Sequence, residues 1–271
     1  MRAANELAVP AGDRGVEQTF GRAAALLEAL AAAQEGGLRF TDLVQRTSFS
    51  KATVHRLLAG LSLYGFVEAD AANGRYFLGF RLAAWAAAAR NRFGISERAD
   101  PIMRELAEHT EDTAYLSLRV AEMSICLTRH EGRFPIRALP LQPGDQSALG
   151  VGSGSLALLA FLSDLAEVDR ILASPVHAAA RDRRGVSEEA IRHHVAAARR
   201  RGFSLVDDLT PGMTGMAVPV RNQAGQPVAA ISVATISARL RPPRRQMVLG
   251  HLRSAAQQLE HVFRWAISSP K

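Results

Sequence analysis

Residues 48–79 constrain the fold more than any other part of the chain, because a helical and a strand periodicity meet inside them. Val54, Leu57, Leu58 and Leu61 fall at i, i+3, i+4 and i+7, the spacing of one buried helical face. Gly65 ends that helix. Residues 66–70 and 75–79 then read as two short strands, with Asn73-Gly74 between them as a type I′ hairpin signal. The opposite helical face carries Ser50, Lys51, Thr53, His55 and Arg56, hydroxyls and cations where a groove-entering helix presents donors to phosphates and base edges. Such a helix followed by a hairpin has the outline of a winged reader of nucleic acid.

A net charge of +7 suits a polyanion partner only if the charge sits in the right place. It does not: residues 1–90 hold ten Lys/Arg against eight Asp/Glu, and the remainder holds 23 against 18. The local pattern is what counts. No acid occurs between Asp42 and Glu68, whereas Arg46, Lys51, His55 and Arg56 do, leaving a basic patch on the proposed reading helix. The one cysteine, Cys126, forms no internal disulfide and is expected buried in a strand, and no Cys/His cluster has metal-site spacing. Apolar runs such as residues 156–162 are too short to span a bilayer and no signal peptide opens the chain, which sets the expectation of a cytoplasmic protein without membrane contact.

Along the chain, residues 1–15 read as a disordered lead and residues 19–34 as a helix with Ala23, Leu26, Leu27 and Leu30 on one face. Thr41 is placed to N-cap a short second helix, and residues 80–94 read as an alanine-rich linker helix. From residue 95 the pattern becomes mixed. A helix is expected at 96–109, strands at 113–120 and 123–130, a glycine-rich segment at 144–154, and helices at 155–162, 164–172 and 187–201. Strands at 213–221 and 227–236 flank a turn at 222–226, and a final helix covers 243–267.

The runs Gly21-Arg22-Ala23-Ala24-Ala25-Leu26-Leu27-Glu28, Ser50-Lys51-Ala52-Thr53-Val54-His55-Arg56-Leu57-Leu58 and Gly74-Arg75-Tyr76-Phe77-Leu78-Gly79 resemble the opening helix, recognition helix and wing of the IclR family of bacterial transcription regulators. A looser resemblance continues through Pro211-Gly212-Met213, Val218-Pro219-Val220 and Val228-Ala229-Ala230-Ile231-Ser232-Val233, covering about 250 residues. It implies an α+β protein: a winged helix-turn-helix domain at 16–79, the linker helix at 80–94, and a GAF-like α/β effector-binding domain at 95–271. It also implies a homodimer or homotetramer on double-stranded operator DNA, governed by a small organic acid and needing no cofactor or metal.

Within the DNA module Ser50 is the expected N-cap, Lys51 and Arg22 the expected phosphate contacts, Thr53, His55 and Arg56 the base readers, and Arg75 a wing contact to a minor groove or a phosphate. By resemblance the loop 150–155 with Gly150, Val151 and Gly152, Leu149 before it, the segment 206–215 with Asp207, Asp208, Met213, Thr214 and Gly215, and the strand bearing Ser232 line the effector cavity. Gly150-Val151-Gly152-Ser153-Gly154-Ser155 is no nucleotide loop, since it lacks the lysine that meets phosphates. Many relatives carry a histidine ahead of this loop and a cysteine in the strand after the Pro-Gly turn, where this chain has Ala148-Leu149-Gly150 and Gly215; the missing side chain suggests room for a bulkier, aromatic acid. Arg199-Arg200-Arg201-Gly202 reads as a helix C-terminus and the His193-His194 pair as surface. Two rival classes stand beside the regulator: an enzyme on a small acid using Asp207, Asp208 and a histidine, for which no paired acid/base or nucleophile speaks, and a sensory domain acting through protein partners.

Overall fold

The computed structural model describes residues 14–33, 36–91 and 95–263, and the chain divides into two compact units, Met1–Arg90 and Asn91–Lys271. Of the lead expected at 1–15, residues 1–13 lie outside the described residues, while Arg14 and Gly15 already belong to a helix. The end of the expected final helix, beyond Phe263, and residues 92–94 of the expected linker helix also lie outside them.

The first unit runs α1 (Arg14–Ala32), β1 (Leu38–Arg39), α2 (Phe40–Thr47), α3 (Lys51–Leu63), β2 (Val67–Asp70), β3 (Arg75–Leu78), and then α4 (Phe80–Asn91). Its core gathers Leu26 and Leu30 of α1, Leu38, Leu43 of α2, Val54 and Leu58 of α3, and Val67. The apolar faces read from the sequence are therefore the faces that pack, with Leu57 and Leu61 at their half-buried margin. Each fully buried leucine there contributes roughly 1.5–3 kcal/mol relative to exposure. Two local expectations fail. The cap of α2 is Arg39, not Thr41: the Asp42 carboxylate reaches back to the Arg39 amide at 3.0 Å, which leaves Thr41 inside the first turn. The wing turn is not a two-residue type I′ turn, because Asp70 pairs with Arg75 and the loop between them holds Ala71, Ala72, Asn73 and Gly74, of which only Gly74 is left-handed (φ 67°). Asp70 organises this longer loop, accepting from the Ala72 amide at 2.8 Å and the Asn73 side-chain amide at 2.6 Å.

The second unit contains α5 (Ile95–Thr110), β4 (Thr113–Val120), β5 (Met123–His130), β6 (Gln146–Ala148), α6 (Ser153–Ala160), α7 (Leu165–Ala173), α8 (Pro175–Asp182), α9 (Glu188–Arg201), β7 (Ser204–Val206), β8 (Met213–Arg221), β9 (Pro227–Ile236) and α10 (Arg244–Phe263). Six strands form one antiparallel sheet in the order β6-β5-β4-β9-β8-β7. Period-2 alternation gives it two unlike faces. Leu116, Met216, Val218, Ile231 and Val233 turn to one side, against Met103 and Leu106 of α5 and Val248, Leu252, Leu259 and Phe263 of α10. On the other side Ala217 and Ala230 join Leu156 to Leu159 of α6 and Ile191, Val195 and Ala198 of α9. Cys126 is buried in β5 as expected. Helix α8 was not anticipated, although Ser174-Pro175 places proline at the first helical position, where its missing N–H costs nothing.

Candidate nucleic-acid interface and cavity

Ser50 N-caps α3, its Oγ accepting from the Thr53 amide at 3.2 Å. The Thr53 hydroxyl shares a 2.9 Å hydrogen bond with Ser50 Oγ, so it serves the cap before it serves any base. Lys51, His55 and Arg56 are exposed, and among the described residues none of them has a hydrogen bond or ion pair. His55 and Arg56, with the exposed Ala52 and Ala59, cover the arc away from Val54 and Leu58, while Lys51 is exposed at the first position of the helix. The alanines keep that arc flat between free cations and an imidazole, as close approach to a duplex requires.

Two expected contacts have other local duties. The Arg75 guanidinium donates to the carbonyls of Gly36 at 3.0 Å and Gly37 at 3.2 Å, so it fastens the wing to the loop after α1 instead of extending as a free arm. Arg22 is half-buried, with its guanidinium carbon 5.9 Å from the centre of the Phe49 ring. It braces the entry to α3 beside the exposed face.

In the second unit a cavity of about 370 Å³ opens between the sheet and the first turn of α6. Its buried floor comprises Tyr115, Ser117, Ser124, Ser155, Thr214, Ser232 and Ala234, and its exposed rim Leu139, Pro140, Arg184 and Thr210. Of the residues expected from the sequence, Val151, Gly152, Met213, Thr214, Gly215 and Ser232 line it. Leu149, Gly150, Asp207 and Asp208 do not. Leu149 is fully buried in the core behind the wall, its carbonyl 2.7 Å from His177 Nε2. Gly150, at φ 97°, is pressed so closely that a Cβ would stand 2.5 Å from Ile191 Cγ2. Asp207 and Asp208 are exposed, and Asp208 lies 3.2 Å from His194 Nε2.

The glycine of β8 has its own reason. A Cβ on Gly215 would fall 2.5 Å from Ser153 Oγ, so the space a larger residue would occupy is filled by Ser153 and is not left to a ligand. Ser153 opens α6 after Gly152, which supplies no side-chain cap. The first-turn amides of that helix therefore lack an intrahelical acceptor beside the cavity and favour a negative group there. Two hydroxyls converge on the same spot: an ideal Cβ at Gly154 would lie 3.5 Å from Ser232 Oγ and 3.6 Å from Ser117 Oγ. Ser117 and Ser232 are 4% and 6% exposed, and among the described residues neither hydroxyl has a partner. Among the described residues no aspartate, glutamate or histidine lines the cavity, and Arg184 is the one Lys or Arg that does.

The other basic features have structural duties. Arg199 donates to the carbonyls of Ala160 at 2.7 Å and Leu162 at 2.8 Å, closing the C-terminal end of α6, and Gly202 ends α9 in the left-handed region. Among the described residues no helix is long and apolar enough to cross a membrane, and no group of three His, Cys, Asp or Glu could hold a metal ion. Sequence reasoning missed Tyr115, Ser117, Ser124, Ser147 and Arg184. For Ser117 and Ser124 a signal existed, a small polar residue alternating with apolar ones in a strand that must bury both faces.

Comparison with known proteins bears on both halves. A family model described as "IclR helix-turn-helix domain" matches residues 20–71, and one described as "Bacterial transcriptional regulator IclR C-terminal" matches residues 87–261. The chain is 30% identical over 250 residues to the HTH-type transcriptional regulator BhcR of Paracoccus denitrificans, covering 92% of this chain and 88% of that protein. It superposes with a TM-score of 0.75 and 26% identity on the crystal structure of an IclR-type transcriptional regulator from Silicibacter sp. TM1040, covering 93% of this chain and 100% of the other. An IclR homolog from Microbacterium hydrocarbonoxydans, crystallised in complex with 4-hydroxybenzoate, shares the fold at a TM-score of 0.67 and 22% identity, covering 91% and 99% of the two chains.

Proposed function

Since the chain belongs to the IclR family, DNA-binding transcriptional regulators with an effector-binding C-terminal domain and not enzymes, we propose that it is a cytoplasmic homodimer or homotetramer whose operator binding is set by a small organic acid, aromatic acids included. The exposed face of α3 carries the DNA half of this reading, because Lys51, His55 and Arg56 stand there without internal partners. In it Lys51 and Arg22 meet phosphates, while His55 and Arg56 meet base edges, Arg56 through a bidentate contact to guanine. One such head reads few base pairs, so paired half-sites and at least a dimer are physically required for selectivity.

The cavity supports the effector half. Its volume suits a small ligand, its wall offers amides and hydroxyls with no carboxylate among the described residues, and Val151, Leu141 and Met213 add apolar surface. A carboxylate seated on the first turn of α6, between Ser117 and Ser232, would use donors that otherwise have none to serve. The M. hydrocarbonoxydans homolog holds an acid of this kind, 4-hydroxybenzoate.

Fluorescence anisotropy with operator DNA selected from a random-sequence pool tests the first half. Affinity should fall steeply with salt while selectivity persists, and Arg56→Ala should lose about 1–3 kcal/mol of discrimination at one base pair. If that variant ranks every operator sequence as the parent does, Arg56 reads no base. Thermal-shift measurements test the second half: stabilisation by small aliphatic acids but by no aromatic acid would remove aromatic effectors.

A further inference from the structure

Positive charge in the second unit gathers where α9 ends and α10 begins. Residues 190–259 hold ten arginines and two acids, an excess larger than the +7 of the whole chain. Five of the ten are engaged within the fold: Arg192 pairs with Asp169 and Glu188, Arg199 and Arg221 donate to backbone carbonyls, and Arg239 and Arg244 face Asp112. Arg200, Arg201, Arg241 and Arg253 are exposed, and among the described residues none of them has a hydrogen bond or ion pair. Arg245 is half-buried and donates through Nε to the Leu240 carbonyl at 3.2 Å. The two acids of the stretch, Asp207 and Asp208, lie beyond β7, where Asp208 meets His194.

These arginines border an apolar cleft. Phe203, Pro242, Pro243, Arg245, Gln246 and Leu249 line an opening of about 600 Å³. Phe203 and Leu249 are half-buried, packed inward on the core of the sheet, while both prolines are exposed. Along α10, Arg245, Leu249 and Arg253 follow at four-residue steps, which sets them on one face with the two arginines about 12 Å apart. A Cβ on Gly202 would stand 3.7 Å from Arg253 Nη2, so Arg253 reaches the end of α9, where Arg200 and Arg201 sit. Helix energetics do not account for the arrangement. Arginine at the end of α9 complements the helix dipole, but the start of α10 has the opposite sign, and its first turn holds Arg244 and Arg245 with no acid. Asp112 explains Arg244. Among the described residues no acid answers Arg241, Arg245 or Arg253, and like charges gathered this closely weaken the folded state.

We propose that this surface docks an acidic protein segment in which a large apolar side chain stands between two carboxylates. The cleft receives the apolar side chain, and the arginines on either side of it pair with the acids, each guanidinium offering a planar fork that fits a carboxylate. In an extended segment alternate residues share a face at about 3.3 Å per residue. Carboxylates four residues apart therefore span about 13 Å, the separation of Arg245 and Arg253, and the residue midway between them lies over Leu249. DNA would engage the same cations but make no use of the apolar floor between them. The cleft shares no lining residue with the effector cavity, so the segment and an effector can be held at once.

Selection of random displayed peptides on the full-length protein, with counter-selection on the Arg201→Glu/Arg253→Glu double variant, tests it. Both arginines are exposed and unpaired among the described residues, so the variant should fold, which a thermal melt checks. The recovered peptides should carry Leu, Phe or Trp between Asp or Glu. Synthetic copies, followed by fluorescence anisotropy, should bind the double variant about tenfold or more weakly than the parent, because the reversal sets like charges against the acids. Alanine in place of the peptide's apolar residue should weaken binding several-fold. Arg98→Glu/Arg183→Glu makes the same charge change at exposed arginines elsewhere in this unit and should bind the peptides as the parent does. Recovery of no acidic peptide, binding that ignores the apolar residue, or an equal loss in the two double variants overturns the proposal. So does a surface that serves DNA, which would yield no such peptide and would show instead weaker and less salt-dependent binding of a non-operator duplex by Arg201→Glu/Arg253→Glu.

Discussion

Asp112→Asn should destabilise the effector-binding unit far more than any surface ion pair does. The Asp112 side chain is 1% exposed and faces two arginines. Its Oδ1 accepts from Thr235 Oγ1 at 2.7 Å and Arg239 Nε at 3.0 Å, and its Oδ2 from Arg244 Nη2 at 3.1 Å. Asparagine preserves the shape but removes the charge, and its amide nitrogen would point a donor at a guanidinium. Breaking a buried pair from one side costs about 3–5 kcal/mol, because the partner charges stay behind unpaired. Here both partners keep some contact with water, Arg239 at 17% and Arg244 at 25% side-chain exposure, and Arg239 stacks on the Phe134 ring at 3.5 Å. The lower end, about 3 kcal/mol, is therefore expected. The control is Asp100→Asn, which removes a pair of similar length (2.9 Å to Arg104) at 44% and 64% exposure and should cost under about 1 kcal/mol. Native-state hydrogen exchange of β4 and α10 peptides in the full-length protein measures both. A loss below about 1 kcal/mol for Asp112→Asn, or losses equal in the two variants, would refute the argument that burial decides the value of this cluster.

Further predictions concern single reactive side chains. The chain holds two lysines, Lys51 and Lys271, so acylation followed by mass spectrometry reports on the reading helix almost directly: saturating operator should slow modification of Lys51 at least several-fold relative to Lys271, and an unchanged rate would remove Lys51 from the interface. Burial pushes the Cys126 thiol up to about 11, which leaves roughly one thiol in a thousand ionised at pH 8. Ellman's reagent should accordingly leave it intact in the native protein and modify it rapidly in denaturant; fast native reaction would show that β5 opens.

The winged module was legible because its determinants are local. The apolar spacing of α3, its Ser50 cap and the glycine at its end each act within one turn, and the predicted reading face is the exposed face. Strands β4, β5, β8 and β9 were equally legible, their expected ranges coinciding with those observed, since alternation and continuous apolar runs leave few alternatives. Failures came where a distant residue decides. Arg75 reads as a free wing cation until the carbonyls of Gly36 and Gly37 are found beside it. Asp207 and Asp208 look like pocket acids next to a Pro-Gly turn, yet the chain turns them outward, Asp208 towards His194 of α9.

The sequence by itself determined most of the elements, the change to a mixed pattern from residue 95, and a basic, acid-free face on one helix, because helical and strand periodicity, caps and breakers are properties of neighbours in the chain. Only the tertiary structure decided what the cavity is made of. Ser117, Ser124, Ser147 and Ser232 belong to four strands separated by as many as 115 residues, and line one cavity only when antiparallel pairing joins those strands into one sheet. Hydrogen-bonded pairing between strands is set by long-range packing, so its chemical consequences appear once the sheet has closed.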